Sequence, residues 1–524
     1  MNVIKRLVSD PLYLKLWMIV IGVLNILVLP APALRVLTVI ARLWAAVYLL
    51  WDLLHERRFL KGFTAPLPMV VLFAMMLSIS INVLRGGQLL LEFKYCILYI
   101  IFFCVFAAPS AAKSEEERSR EVSIICNSVM ILSLLPVMLA AIAYFVKINL
   151  YVPWLMVEPG YQYEYNGSGY NTLWHERFFS LFSNPNNVSV SLLAVGICAL
   201  INFNTAKAKT ICARLQKILC ATTMVCVYVC LIALASRGAK LSASVAVMAL
   251  SGVLIYRLIN LKGIKRLTFK ICISVIGGIL AFGLTFGVLE ASAIIQPIAA
   301  TKIEESLHYV MVATQHLVKN TFGLFHTAKP ESERIQPIKP TPRSVRKEDY
   351  NSGFRVRFMI YKLYIYGLRH HFVFGAGVEN EELFFDIYQK ERPEQFQAVL
   401  ENIPLPPENV LSAHNTYIYF ISCYGIVAFV PFILLVAIIV LRTLKISAGK
   451  EYSGFSMRYR LLFLAFLAAV FTMGMCGTYL FDYDLSAIFA WIAVGYLNAS
   501  GSSTKVTRYL KERLINYVRH YEHK

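Results

Sequence analysis

The run Ser412-Ala-His-Asn-Thr-Tyr417 sets a histidine and an asparagine where a polar segment, roughly 291–412, gives way to a strongly apolar one, and ten residues then separate His414 from Gly425. An imidazole titrates near neutrality, so at the lip of a membrane helix it can exchange a proton at the water–lipid boundary. A boundary histidine can equally do no more than anchor the helix end. Ala235-Ser-Arg-Gly-Ala-Lys-Leu241 puts Arg237 between two apolar runs, where a charge is costly unless it reaches water or an anion. Snorkelling to the interface is the ordinary explanation. The short turn and Gly238 offer another, a backbone and a cation brought close to a phosphate at a helix start.

Gly353-Phe-Arg-Val-Arg357 spaces Arg355 and Arg357 two apart ahead of an amphipathic run. The planar guanidinium suits bidentate phosphate binding better than lysine does. A solvated loop face is the simpler reading of Arg355 and of one or both of His370 and His371. Gly375-Ala-Gly377 reads as a turn rather than a phosphate cradle. Arg177 precedes Asn184-Pro185-Asn186-Asn187, a turn and helix-start sequence whose amides could also hold a sugar or a diphosphate.

The elements that must position these residues are membrane helices. The 524 residues are 58% hydrophobic and 16% charged, against about a quarter charged in soluble domains. Apolar runs of 18 or more residues recur, each able to cross the roughly 30 Å hydrocarbon core as a helix; a barrel would show short alternating segments. The fold class expected is an all-α polytopic membrane protein of about twelve transmembrane helices. Its spans fall near 15–32, 33–51, 66–84, 89–109, 122–146, 186–203, 212–235, 240–259, 270–290, 413–441, 461–481 and 485–500. Residues 1–290 form an N-terminal membrane domain, 291–412 a large, partly helical extracytoplasmic loop, 413–500 the last spans and 501–524 a basic cytoplasmic tail.

The net charge of +20 does not indicate nucleic acid. Segment 291–412 carries fourteen Lys/Arg and fourteen Asp/Glu, and the excess sits in short connections such as Arg257–Lys270 and Arg442–Arg460. That is the positive-inside pattern, with both termini in the cytoplasm and the large loop outside. The stretch 110–121 reads as a solvated, mixed-charge helix start. An outer segment near 147–185 is rich in Tyr and Trp, as an interfacial belt or as sugar-stacking platforms. None of the eleven cysteines lies in 291–412, which excludes a disulfide framework there. Cys226 and Cys230 share a helix face without His or carboxylate and read as small hydrophobes, so neither metal nor other cofactor is expected. A loop of 122 residues is too long for a mere connection and should carry function.

With these motifs in order, the chain resembles the O-antigen ligase and Wzy-type polysaccharide polymerase family of bacterial inner-membrane glycosyltransferases. The resemblance rests on Arg237-x-x-x-Leu241, on Arg357 with Tyr361 and Phe374-Gly-Ala-Gly377, on His414-Asn415 followed by Gly425, and on Arg177 with Asn184-Pro-Asn186. The chain departs from it in a longer loop with a proline-rich insert at 330–342, and in Ala428, where a small glycine-like residue often follows Gly425. The resemblance implies transfer of a glycan from an undecaprenyl-diphosphate donor to a sugar hydroxyl, on a growing glycan or on lipid A–core, without metal or nucleotide. It also implies other membrane proteins of polysaccharide assembly as partners. On that implication His414 is the base, Arg237 and Arg357 stabilise the diphosphate, Asn415 orients the ring or the sugar, and Arg355, Arg177 and Asn186 add binding contacts. The extended loop inclines the reading to a polymerase over a ligase. The alternative is a flippase or transporter of lipid-linked oligosaccharide, whose hallmark would be ionisable residues deep in several spans. Glu92 and Lys94 are among the few here. A non-enzymatic membrane scaffold is the third reading.

Overall fold

The structure, a computed structural model, describes residues 3–27, 31–61, 67–146, 185–205, 210–234, 237–259, 267–292, 295, 357–378, 381–401, 415–448, 454–475 and 480–498. These residues are almost entirely helical, and the protein is an all-α polytopic membrane protein. In chain order the helices are α1 Val3–Ser9, α2 Pro11–Ile26, α3 Ala31–His55, α4 Arg58–Lys61, α5 Leu67–Leu84, α6 Leu89–Tyr99 and, after a π-helical stretch Ile100–Ala107, α7 Ala108–Ala112. There follow α8 Glu115–Val146, α9 Pro185–Thr205, α10 Ile211–Ala233 and α11 Arg237–Leu258. Next come α12 Leu267–Ser292 and α13 at 357–367, then α14 Glu381–Glu391, α15 Pro393–Glu401, α16 Thr416–Ala448, α17 Gly454–Met473 and α18 Leu485–Leu497.

Each apolar segment read from the sequence contains a helix among its described residues, but the one expected at 15–32 is divided between α2 and α3, and α17 stops at Met473, short of the expected 481. Among the described residues nine helical segments are long and apolar enough to cross a membrane, while Pro11–Ile26, Val188–Phe203 and Leu485–Leu497 are shorter. Local chemistry sets the starts. Asp10 accepts from Leu12 N (3.0 Å) with Pro11 as first helical residue, and Thr210 Oγ1 accepts from Ala213 N (3.2 Å), each meeting a backbone donor that has no partner within the helix.

The core is built round α18, whose every residue is buried, as an all-apolar helix must be. It packs against α2, α9, α17 and the π-helical stretch. Gly495 permits that approach, since a Cβ there would meet Ala107 O at 2.7 Å and Ala107 Cα at 2.8 Å. Tyr99, Phe102, Phe103 and Phe481 close round Trp491, whose Nε1 donates to Leu480 O (2.9 Å).

At the far end of α18, polar groups tie the bundle together. Buried Lys15 reaches Ser110 Oγ (2.5 Å) and Tyr496 OH (3.1 Å), and Tyr496 OH donates to Glu121 (2.7 Å). Arg460 pairs with Glu115 (2.6 Å) and donates to Leu497 O (3.3 Å). This corrects the reading of 110–121 as merely solvated. Ser114 and Glu117 do form an exposed capping box, but Arg118 and Glu121 are buried and Glu115 holds α17. Charge content alone could not reveal that α17 and α18 cover this turn.

Candidate functional site

The opposite end of α18 gathers the motifs. Asn415 caps α16: its Oδ1 accepts from Tyr417 N (2.9 Å) and Ile418 N (3.0 Å). Its Nδ2 donates to Met475 O (3.1 Å), just beyond α17, and Thr416 N donates to Gly474 O (2.7 Å). Tyr361 OH donates to the same Met475 carbonyl (3.0 Å). Arg357 stands one turn before Tyr361 and opens α13 half-buried. One carbonyl therefore joins the arginine-bearing helix of the large loop to the residue that follows His414.

Arg237 begins α11 three residues after Leu234. Ala246 of α11 packs with Ala465 and Ala469 near the end of α17, which brings the start of α11 to the level where α17 ends. Lys240 of α11 meets Glu290 in the last turn of α12 at 2.8 Å. The large loop thus leaves and re-enters the bundle at the end where Arg237 lies. Of Arg237 and Asn186 the structure describes the backbone at helix starts and not the side chain, and His414, Arg355 and Arg177 lie outside the described residues. So do the outer aromatic segment up to Asn184 and the proline-rich insert.

The glycine pattern has a structural cause. At Gly425 α16 breaks (φ 69°, ψ −175°), and the turn after α13 fills the gap. Ala376 N donates to Ser422 O (2.7 Å), Gly377 N to Cys423 O (3.2 Å), Ile426 N to Phe372 O (2.9 Å) and Val427 N to Val373 O (3.3 Å). Gly375 and Gly377 also have positive φ. A Cβ on Gly425 would strike Val373 O and Gly375 N, and one on Gly375 would strike Cys423 O and Tyr424 N. These glycines form a turn, as the sequence suggested, and the turn is spliced into a membrane helix.

Four residues that the sequence reading did not select as site residues hold the splice. Ser78 Oγ donates to Tyr424 O (2.7 Å), Asn82 Nδ2 to Cys423 O (3.2 Å) and Phe374 O (3.4 Å), and Arg85 to Gly375 O (3.4 Å). Glu92 accepts from Val378 N (3.2 Å). Polar side chains in the apolar spans α5 and α6 were the available signal, because such groups are costly there without a partner. Glu92, a charge within a span of the kind a transporter needs, has this backbone amide as a partner.

Two cavities open at the same end. Tyr95, Thr416, Tyr419, Phe420, Tyr424 and Phe481 line a small apolar one beneath Thr416. Another, of about 230 Å³, lies among Asn25, Arg35, Thr38, Asp482 and Tyr483, where burial raises the Asp482 carboxyl. Among the described residues no cluster of His, Cys, Asp or Glu could hold a metal.

Residues 222–433 match the family model described as O-antigen ligase. This segment belongs to the O-antigen ligase family. The O-antigen ligase segment runs from within α10 to within α16 and includes Arg237, Arg357, His414, Asn415 and the spliced glycines; Arg177 and Asn186 precede it. No curated protein matches the chain. With its membrane helices, the O-antigen ligase segment makes this a membrane enzyme of polysaccharide assembly.

Proposed function

We propose that the protein transfers a glycan from a polyprenyl-diphosphate carrier, undecaprenyl diphosphate in bacteria, to a sugar hydroxyl on the outer side of the inner membrane. The observation that carries the reading is the shared Met475 carbonyl, which brings Tyr361, one turn from Arg357, together with Asn415, next to His414. In the reaction His414 takes the proton of the acceptor hydroxyl, and an imidazole with pKa near roughly 6.5 suits that task. The hydroxyl oxygen bonds to the anomeric carbon as the bond from that carbon to the phosphate oxygen breaks. The electron pair leaves with the diphosphate, where Arg237 and Arg357 meet the developing charge. Arg355, Arg177 and Asn186 add contacts to the diphosphate or glycan. The engaged amide of Asn415 favours positioning His414 over touching the sugar. The chemistry asks for no metal or nucleotide, and the length of the loop favours a growing glycan as acceptor over lipid A–core.

The test supplies purified protein with undecaprenyl-diphosphate oligosaccharide and lipid A–core, without nucleotide or metal. A ladder of longer lipid-linked chains identifies a polymerase, and a single shifted acceptor band a ligase. His414→Gln and Arg237→Ala should each lower transfer by about 10²-fold or more. Wild-type transfer by both variants would sink the residue assignment, and donor crossing a proteoliposome bilayer without transfer would favour a flippase.

A further inference from the structure

Among the described residues from 357 to 401, the exposed large apolar side chains lie on α13 and the turn after it: Phe358, Ile365, Phe372 and Val373. Phe358, Lys362, Ile365 and Arg369 follow one another at spacings of four, three and four and are all exposed, so they form one stripe of apolar groups and cations. Phe358 is 62% exposed, Ile365 57%, and Phe372 and Val373 49% each. No acidic residue interrupts the stripe. The helices α14 and α15 and the residue between them behave oppositely: Glu382, Asp386, Lys390, Glu391, Arg392 and Glu394 are exposed, and among their described side chains no large apolar one is. The loop structure therefore has an apolar, cationic side and a polar, largely acidic one.

The level of the apolar side is set by the splice. From Gly425 to Leu444, where the apolar span ends, a helix rises about 28 Å, close to the roughly 30 Å of hydrocarbon core. The 18 residues of α5 rise about 27 Å and finish beside the same turn, where Arg85 binds Gly375 O. Leu84, Leu89 and Leu90 are exposed on either side of Arg85, continuing the lipid-facing surface of α5 and α6 up to the loop.

We infer that α13 and the turn at 371–374 lie in the headgroup layer of the bilayer, with Phe358, Ile365, Phe372 and Val373 among the upper acyl chains and Lys362 and Arg369 on lipid phosphates. Long cationic side chains cover apolar surface with their stems while their heads reach the phosphates, and a helix with that mixed face rests in the interface plane. Anionic lipid strengthens the contact. The acidic face of α14 and α15 then points to water. The large loop is in this way partly a membrane-surface element, whatever reaction the site performs.

The experiment places the full chain in vesicles of phosphatidylethanolamine and phosphatidylglycerol and compares Phe372→Trp, with Phe358→Trp as second reporter, against Asp386→Trp on α14. The fluorescence added over the parent protein is read with acyl chains brominated near the headgroup and with aqueous iodide. The expected result is a blue-shifted emission at 372 and 358, lost on brominated lipid and resistant to iodide, with the reverse at 386. If the 372 and 358 reporters respond to iodide as the 386 reporter does and ignore brominated lipid, the stripe lies in water and the inference is overturned. The folding of each variant is checked by its thermal midpoint, and the two reporters keep the answer available if one substitution fails to fold.

Discussion

Asn415 employs both ends of its amide, Oδ1 on the first turn of α16 and Nδ2 on Met475 O. Asn415→Asp keeps the cap oxygen and removes the donor, so transfer should fall while the thermal midpoint changes little. Asn415→Ala removes both and should in addition lose about 1 kcal/mol of stability, the usual cost of a cap. Equal transfer by the Asp and wild-type proteins would deny the Met475 link a part in positioning. His371 lies in the turn after α13. Its Nδ1 is buried without a hydrogen-bond partner among the described residues, and its ring stands edge-on to Phe384 (6.3 Å). Burial, then Arg85 and His370, lowers its pKa. The folded group binds its proton less readily than the unfolded one, whose pKa is about 6.5. The stability it gives is present above that value and is lost as pH falls through the lower folded one. The thermal midpoint should drop on acidification below neutrality, and His371→Gln should shrink that drop.

The splice between the 371–378 turn and α16 is a property of two elements and needs both glycines. Gly425 and Gly375 each present a positive φ and face the other segment's backbone. Left-handed backbone costs a side-chain-bearing residue about 1–2 kcal/mol, and the clash adds to that. Gly425→Ala and Gly375→Ala should each loosen the turn, raising amide hydrogen exchange at Ala376 and Gly377, which donate across the splice. Once one substitution has expelled the turn the other has little left to break, so the double variant should cost less than the sum. Strict additivity would mean that the two glycines act separately.

Across the whole molecule, α18 connects an end that carries the functional motifs with an end locked by ion pairs. Arg460 is 1% exposed and pairs with Glu115. Glu115→Ala leaves a buried cation short of its carboxylate, a loss of roughly 3–5 kcal/mol in fully buried pairs. The one-third exposure of the Glu115 side chain puts the expectation at the lower end. Unfolding in nanodiscs should show a clear fall in midpoint, while transfer measured well below that midpoint stays near wild type. A large loss of transfer in a folded Glu115→Ala protein would mean that the two ends are coupled.

The helices were legible because spanning a bilayer requires long apolar runs whose backbone groups bond within the segment, and each expected run contains a helix among its described residues. The arginine, glycine and His-Asn motifs from Arg237 to Gly425 all fall within residues 222–433, which match the O-antigen ligase model. Sequence suggested a turn at Gly375 and Gly377, since positive φ is a local demand. It did not say what the turn would dock against. That Glu115 serves Arg460, 345 positions away, that Glu92 serves the amide of Val378, and that Tyr361 and Asn415 share the Met475 carbonyl were decided by the tertiary structure alone. A polar side chain in an apolar span announces that it needs a partner, but which partner it finds depends on which helices pack together, and local sequence does not encode that.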